Sequence, residues 1–361
     1  MSRAQIERDV PLAPRTTLGL GGAARYFARA TTDAHIHEAL RYASDRGLAL
    51  AVLGGGSNTL VPDEGFRGLV LSIETHGMRT SPREDGQVAL HAKAGTPWPE
   101  VVRFSVASDL AGLECLAGIP GSTGATPVQN VGAYGQEVSD TILSVRALDR
   151  RTLDEVVLTP EQCEFGYRDS RLKRDPHRFI VLEVSFALRP GGAPLLRYAE
   201  LARAMEIVAA EGAPTLQQVH DTVIALRRKK GMVLDPEDPD SRSAGSFFTN
   251  PVVSHSDAER VRARARAAGL LESGDDVPSW PQPDGRVKLA AGWLIERAGI
   301  AKGHRRGPVG VSSKHALALV HHGGGTLAEL LALADEVAGQ VEAAFGVRLE
   351  REPQLLAGVV A

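Results

Sequence analysis

The stretch LALAVLGGGSN, residues 48–58, decides how the first part of this chain folds. Its apolar residues have the length and composition of a buried strand, and Gly47 can end a preceding helix that we predict from Asp33. The strand leads directly into five small or polar residues: Gly54, Gly55, Gly56, Ser57 and Asn58. Because glycine has no Cβ atom, the amide groups of such a loop can converge on an anion such as a phosphate.

Two familiar phosphate-binding loops do not fit this segment. No Lys-Ser/Thr pair follows the glycines, which excludes a Walker A loop. Pro62 follows too soon for the long helix that begins after a GxGxxG fingerprint. A plain turn between two strands explains the segment equally well when it is taken alone.

A second glycine-rich segment, LECLAGIPGSTGATPVQNVGAYGQE, occupies residues 113–137. It contains too many apolar residues for a linker and too much glycine for a helix. We interpret it as an ordered loop that surrounds a ligand. Together the two glycine segments could bind a dinucleotide pyrophosphate and a flat ring system.

The rest of the chain mixes strand and helix patterns, which predicts an α+β fold. Strands are predicted at GLVLSI, VALHAKAG, ILSVRALD and FIVLEVSFAL, and the last is apolar enough to be a central strand. Helices are predicted from Pro97 to about Leu110, from Thr215 to the RRKK sequence before Gly231, around KLAAGWLIERAG, and from Thr326 to Phe345.

Composition limits the possible functions. The chain has 361 residues, more than one hydrophobic core usually serves, and 41 basic against 44 acidic side chains give a net charge of -3. This balance argues against nucleic acid and anionic membrane surfaces as partners. Neither a signal peptide nor a membrane-inserted segment is expected, since long uninterrupted apolar runs are missing from the sequence.

Metal and disulfide chemistry are also unexpected. Cys115 and Cys163 are far apart and have no CxxC partner, which indicates a reducing compartment and a cytoplasmic protein. His321 and His322 lie in a glycine-rich turn without carboxylates or cysteines at ligand spacing, so no metal site is predicted.

Seven motifs occur in a characteristic order: RTTLGLGGAARYF, LGGGSNTLV, GIPGSTGATPVQNVGAYG, GYRDSRLK, SAGSFFTNP, AGWLIERAG and LEREPQLL. Over nearly its full length the chain resembles the UDP-N-acetylenolpyruvoylglucosamine reductase family, also called UDP-N-acetylmuramate dehydrogenases, in the subgroup with a tyrosine loop. The resemblance implies a vanillyl-alcohol-oxidase-like FAD-binding domain in two subdomains, residues 1–75 and 76–235. A C-terminal α/β substrate-binding domain would follow at residues 236–345, with residues 346–361 returning near the first subdomain. The polar segment DPEDPDSRSAG independently favours a boundary near residue 236.

The resemblance also implies the cofactor and the reaction. NADPH would reduce a non-covalently bound FAD, which would in turn reduce UDP-N-acetylglucosamine enolpyruvate to UDP-N-acetylmuramate for peptidoglycan synthesis, in a protein expected to be a monomer. The residues implied to hold FAD are Gly54, Gly55, Gly56, Ser57, Asn58, Gly118, Ile119, Pro120, Gly121, Gly124, Gln129, Asn130, Gly132, Ala133 and Tyr134.

Three residues match the catalytic positions of the family. Arg168 would stabilise the enolpyruvyl carboxylate, for which a planar guanidinium is suited. Outside the motif, an arginine in this basic stretch would more often be solvated, or would form an ion pair with Asp169 or another acid. Ser246 would donate the proton, and Glu352 would assist in stabilising the enolate. Glu350 is the weaker alternative to Glu352.

Three further residues are implied to contact the substrate. Tyr198 matches the tyrosine that closes over the sugar nucleotide, and Asn250 matches a polar contact after the serine. The motif's spacing places Met232 or Val233 where the family has a lysine near the diphosphate, so we assign Lys230 instead. As an alternative, Lys230 could simply cap the end of its helix.

Two other functions fit the same pattern. An oxygen-using FAD oxidase often attaches its flavin through His or Cys in the glycine loop, and residues 54–58 contain neither. A non-enzymatic flavin-binding module would not need Arg168, Ser246 and Glu352 together.

Overall fold

The computed structural model describes residues 4–208 and 212–360. A first sheet has five strands, in the spatial order Ile6–Pro11, Ala23–Ala30, Phe66–Ile73, Ala49–Leu53 and Val359–Val360. The three inner strands are parallel and the two outer ones antiparallel. The predicted strand before the glycine loop is therefore confirmed at Ala49–Leu53.

The helix before that strand differs slightly from the prediction. It runs over Asp33–Ser44, and its N-cap is Thr32 rather than Asp33. Thr32 has an extended backbone, and its hydroxyl accepts a hydrogen bond from the His35 amide at 3.3 Å. A β-region residue with a side-chain acceptor is the usual N-cap, and Asp33 occupies the first helical turn instead.

The second sheet is antiparallel, with its five main strands in the order Glu155–Leu158, Ile142–Asp149, Phe179–Pro190, Val88–Lys93 and Met78–Pro82. Leu110–Ala111 also pairs with Phe179–Pro190, which is confirmed as the central strand. Helices Trp98–Ala107, Ala199–Val208 and Leu216–Lys229 accompany this part of the chain. Trp98 and Phe186 are fully buried in its core, which is continuous with that of the first sheet.

The last third of the described chain builds its own core. One antiparallel sheet has the order Ser243–Ser246, Ala318–His321, Val309–Val311 and Arg305–Arg306, and another has the order Val252–Val253, Val287–Leu289 and Ser279–Pro281. The helices are His255–Ala267, Ala291–Arg297 and Leu327–Phe345. The predicted capping box is confirmed at Thr326 and Glu329. The helix predicted around KLAAGWLIERAG is shorter than expected, because its first residues form the strand Val287–Leu289.

Residues near the end of the chain return to the first sheet. Gln354–Leu355 pairs in parallel with Thr59–Leu60, and Val359–Val360 pairs with Ala49–Leu53. The predicted boundary segment is ordered, since the carboxylate of Asp240 accepts hydrogen bonds from Ser312 and Ser313. The domain bounds themselves stay predictions.

Short elements complete the description. They are the turns Ala13–Arg15, Glu114–Leu116, Thr123–Ala125, Val138–Asp140 and Pro239–Ser241, the helices Pro160–Cys163 and Arg171–Arg174, and a small hairpin of Gly132–Ala133 with Gln136–Glu137. Within the described ranges, none of the helices has the length and apolar character needed to cross a membrane. Nor do these ranges bring three or more His, Cys, Asp or Glu side chains into a metal-binding arrangement.

Candidate active site

The two glycine segments touch each other. A Cβ atom on Gly55 would lie only 2.6 Å from the Cα atom of Gly121, so only glycine allows this approach. The Ser57 hydroxyl donates a hydrogen bond to the Pro120 carbonyl at 3.0 Å, and the Gly55 amide donates to the Ser122 hydroxyl at 3.3 Å. The two segments therefore form one continuous surface, which we call the glycine wall.

Two adjoining cavities lie along this wall. The outer cleft, about 430 Å³, is lined by Gly54–Thr59 and by Gly124. The inner cavity, about 310 Å³, is lined by residues 119–122 and 132–134, and we call it the catalytic cavity because the residues predicted to be catalytic also line it. The two share five lining residues: Ser57, Asn58, Ser122, Ala125 and Gln129. They are therefore neighbouring parts of one groove.

Arg168 is held firmly beside the catalytic cavity. Its Nη1 donates to the Asn130 carbonyl at 3.4 Å and its Nη2 to the Gly132 carbonyl at 2.5 Å. Its Nε lies 3.0 Å from a carboxylate oxygen of Glu352. Arg168 also has a φ of 53°, a left-handed backbone that is uncommon outside glycine and often marks a functional position.

Asn130 supports this arrangement from behind. Its side chain is buried, donates to Glu137 at 2.8 Å and to the Gly166 carbonyl at 2.9 Å, and accepts from the Ser139 amide at 3.2 Å. Asn130 does not line either cavity, because its amide is turned into the loop that carries Arg168. The expected cofactor contact of Asn130 stays a prediction.

Glu352 reaches the cavity through backbone pairing. Its amide donates to the Phe247 carbonyl at 2.9 Å, and Asn58 donates to its carbonyl at 3.4 Å. Burial raises the pKa of the Glu352 carboxyl above its ordinary value, although Arg168 and Lys173 oppose the shift. Glu350 is exposed and does not line the cavity, so the geometry favours Glu352 of the two.

Ser246 ends the strand Ser243–Ser246, which pairs with Ala318–His321. It lines the same cavity as Arg168 and Glu352, and we call these three predicted catalytic residues the catalytic trio. The Ser246 hydroxyl has no hydrogen-bond partner in the part of the chain that the structure describes. It is therefore available to a ligand.

Tyr198 and Lys230, two of the three expected substrate contacts, also line the catalytic cavity. Tyr198 is 39% exposed, and its ring packs edge-on against Tyr134 with 5.4 Å between ring centroids. The Lys230 ammonium lies 2.5 Å from Glu200 and 5.6 Å from the Tyr134 ring centroid.

Asn250 is not brought to the cavity. Its side-chain oxygen accepts a hydrogen bond from the Ala291 amide at 2.9 Å, which satisfies the start of the helix Ala291–Arg297. Gly118 also lies outside the cavity lining, where it packs next to Arg227. The substrate contact of Asn250 and the cofactor contact of Gly118 stay predictions.

Arg227 is a cavity residue that the sequence analysis missed. It is only 9% exposed, its Nη2 donates to the Met232 carbonyl at 2.8 Å, and its Nε has no partner among the described residues. Burial lowers the pKa of Arg227 to about 10. A signal was present in the sequence, because Val219, Val223 and Arg227 follow the four-residue spacing of one helix face.

His315 was also missed. Burial and the nearby cations Lys230, Lys302 and Arg227 lower its pKa to about 4, so the ring is neutral at neutral pH. Its Nδ1 accepts a hydrogen bond from the Leu317 amide at 3.1 Å, which leaves the proton on Nε2. His315 lines the catalytic cavity, and with Arg227 and Lys230 it forms what we call the basic cluster.

Comparison with known proteins decides the family. Residues 24–152 match a model described as an FAD binding domain, and residues 236–356 match the C-terminal domain of UDP-N-acetylenolpyruvoylglucosamine reductase. A protein of that name from Streptomyces coelicolor is 50% identical, with 96% of this chain and 88% of the relative covered. This chain belongs to the UDP-N-acetylenolpyruvoylglucosamine reductase family.

Other relatives agree. A family member from Saccharopolyspora erythraea is 51% identical over 96% of this chain and 94% of its own length. The crystal structure of the reductase from Thermus caldophilus matches with 25% identity and a TM-score of 0.63, over 98% of this chain and 99% of that one. The expected α+β fold with a flavin-binding domain is therefore confirmed.

The groove has features that suit FAD. The side-chain oxygen of Gln129 is buried without a hydrogen-bond partner among the described residues, at the junction of the two cavities. An unpaired buried acceptor is costly unless a ligand supplies a donor, and a flavin ring carries one N–H group. The touching glycine segments leave backbone amides beside the outer cleft, as pyrophosphate binding requires.

Proposed function

We propose that this protein is an NADPH-dependent FAD reductase that converts UDP-N-acetylglucosamine enolpyruvate to UDP-N-acetylmuramate for peptidoglycan synthesis. The observation that carries the proposal is the meeting of Arg168, Ser246 and Glu352 in one cavity that adjoins the glycine wall. We further propose that it acts as a cytoplasmic monomer, with the substrate bound between residues 236–345 and the preceding part of the chain.

Arg168 suits the role of binding the substrate carboxylate. The terminal nitrogens Nη1 and Nη2 each have one backbone carbonyl partner, so each keeps one N–H group for a ligand. Because Glu352 and the two carbonyls fix the plane of the guanidinium, little side-chain entropy is lost on binding. Arg168 would then stabilise the negative charge that develops on the enolpyruvyl carboxylate.

Glu352 would help to stabilise this negative charge, and Ser246 would donate the proton that completes the reduction. The two glycine segments and Gln129 would hold FAD, which would supply hydride chemistry at the enolpyruvyl carbon once NADPH has reduced it. Because burial raises the pKa of Glu352, its carboxyl holds a proton more readily than an exposed glutamate does, and in its protonated form it would donate a hydrogen bond to the developing enolate oxygen. The Ser246 hydroxyl, which is free of partners in the described chain, would give its proton to the carbon next to the carboxylate.

The basic cluster suits the diphosphate of the sugar nucleotide. Arg227 and Lys230 carry positive charge, and the Nε2–H of His315 adds a neutral donor. A diphosphate would give Arg227 the counter-ion that it lacks in the described chain, which makes binding more favourable. Tyr198 would then close over the sugar from the exposed side of the cavity.

Anaerobic absorbance spectroscopy of the purified protein tests this proposal. We expect a visible flavin spectrum that NADPH bleaches and that only the enolpyruvyl sugar nucleotide restores. UDP-N-acetylglucosamine without the enolpyruvyl group is the matched control, since it contains the diphosphate and the sugar but no reducible bond.

Two outcomes would contradict the proposal. Rapid restoration of the spectrum by oxygen, together with indifference to the enolpyruvyl substrate, would identify an oxidase. Stable flavin that NADPH does not bleach would identify a non-enzymatic flavin-binding module.

A further inference from the structure

The outer cleft continues well beyond the glycine wall. It is lined by Leu50 and Val52 of the strand Ala49–Leu53 and by Phe179 and Val181 of the second sheet. At its far side it meets a distal cavity of about 770 Å³. Arg150 lines both the outer cleft and the distal cavity, so it marks their junction.

The charge of Arg150 is not paired. Its side chain has neither an ion pair nor a hydrogen bond with any residue in the ranges 4–208 and 212–360. Its neighbours differ, because Arg151 lies 3.4 Å from Asp175 and Arg178 lies 2.9 Å from Asp149. The Arg150 backbone is fixed, since its amide donates to the Arg178 carbonyl at 2.8 Å. A half-buried cation at a cavity junction is therefore free to bind a ligand.

Another nearby cation is already engaged. The Lys173 ammonium also lines the outer cleft, but it donates to the Arg168 carbonyl at 2.8 Å and so supports the loop that carries Arg168. Arg150 is half-buried, and this partial removal of its charge from water lowers its pKa. Contact with an anion or an aromatic base would offset that loss of hydration.

The length of the cleft indicates which part of FAD reaches Arg150. Leu50 lies four positions before Gly54 on an extended strand, a distance of roughly 13 Å at about 3.3 Å per residue. The isoalloxazine ring must lie near the catalytic trio, and the pyrophosphate is expected at the glycine wall. The adenosine end of FAD therefore points along Leu50 and Val52 toward the junction.

We propose that Arg150 binds the adenosine monophosphate half of FAD. Its guanidinium has the chemistry to stack on the adenine or to donate to ribose and phosphate oxygens. The orientation of FAD rests on the proposed function, since the reaction places the flavin ring beside Ser246. Arg150 thereby anchors the cofactor from outside both glycine segments.

Flavin titration of the apoprotein tests this role. Arg150→Met keeps most of the aliphatic side chain and removes the charge, and Arg151→Met is a matched control that removes an adjacent charge paired with Asp175. We expect Arg150→Met to weaken FAD binding about tenfold or more, the usual effect of losing a contact to a charged group. FAD binding by Arg151→Met should stay within about twofold of wild type.

FMN distinguishes the two halves of the cofactor. Because FMN lacks the adenosine monophosphate, its affinity should be the same in wild type and in Arg150→Met. Equal FAD affinities in Arg150→Met and Arg151→Met, or an equal loss for FMN and FAD, would overturn the assignment.

Two further measurements separate a loss of the Arg150 contact from misfolding and from a failure of the proposed reaction. Arg150→Gln must show the same FAD-specific loss, which guards against a folding defect of the Met variant. A wild-type protein that binds FAD but does not reduce the enolpyruvyl substrate would refute the proposed reaction, and the affinity comparison at Arg150 would still decide this inference.

Discussion

Arg168 and Arg227 line the same cavity but differ in how completely the described protein pairs their guanidinium groups. Arg168 has two backbone carbonyls and the Glu352 carboxylate as partners. Arg227 is more buried, yet it has one backbone carbonyl and an unpartnered Nε within the described chain. The comparison separates a group that the protein orients before the substrate arrives from a group that the ligand completes. The first kind favours catalysis and the second favours binding.

The largest expected effect concerns the catalytic trio. Ser246→Ala should lower turnover by roughly 10² to 10⁴-fold, the usual scale for a positioned proton donor. Reduction of the flavin by NADPH should stay fast, because it does not need this proton. Stopped-flow absorbance measures both half-reactions in the same variant. Unchanged reoxidation of the flavin by the enolpyruvyl substrate would remove Ser246 from the mechanism.

The next effect concerns the basic cluster. Arg227→Met should weaken binding of UDP about 10- to 100-fold, because a contact between a cation and the diphosphate is lost. Without ligand, the variant should be at least as stable as wild type, since an incompletely paired buried charge has been removed. Calorimetric titration and denaturant unfolding measure the two quantities.

Arg228→Met is the matched control for Arg227, because Arg228 is exposed on the same helix. It should change neither UDP binding nor stability appreciably. If Arg227→Met loses stability and keeps its affinity for UDP, then Arg227 is a structural cation, and its contrast with Arg168 as a ligand-binding group is wrong.

The third effect is a pH dependence of stability that depends on His315. Its pKa is about 4 in the folded protein and about 6.5 in the unfolded chain, so only the unfolded chain takes up a proton between these values. Stability is therefore lost as the pH falls from about 6.5 toward 4. At pH 5 this proton uptake lowers the free energy of unfolding by about 2 kcal/mol relative to neutral pH, and His315→Gln should abolish this loss. Denaturant unfolding of wild type and of His315→Gln at pH 7 and pH 5 checks this prediction. Equal losses of unfolding free energy in the two proteins would contradict it.

The smallest effect tests how Arg168 is oriented. Asn130→Ala should lower kcat by about tenfold, because small displacements of a positioned group reduce turnover, while flavin content stays that of wild type. KM for NADPH should also stay the same. Loss of flavin with normal turnover in the loaded fraction would instead make Asn130 a cofactor contact, as the motif had implied.

Local patterns were sufficient for much of the fold. The strand Ala49–Leu53, the central strand Phe179–Pro190 and the capping box of Leu327–Phe345 depend on neighbouring residues, and all three were predicted. The helix start at Thr32 was misplaced by one residue, because Thr32 and Asp33 are both good capping residues and only the backbone conformation distinguishes them.

The candidate site could be predicted where a motif identifies a residue. The family motifs indicated Arg168, Ser246 and Glu352, which line one cavity. The hydrogen bond between Asn250 and the Ala291 amide could not be predicted from the motif, because Ala291 lies 41 residues away in the sequence. His315 gave no periodic signal, and its low pKa depends on cations from other segments.

The pairing of Glu352 with the first glycine segment determines when, during translation, the flavin-binding groove can be completed. Asn58 and Glu352, which are hydrogen-bonded, are separated by 294 positions. At a translation rate of about 5–20 residues per second, the ribosome needs roughly 15–60 seconds to add that length of chain. The nascent protein thus displays Gly54–Asn58 long before the strand Gln354–Leu355 can pair beside it. Until then the groove is incomplete, so stable capture of the flavin is expected only near the end of synthesis.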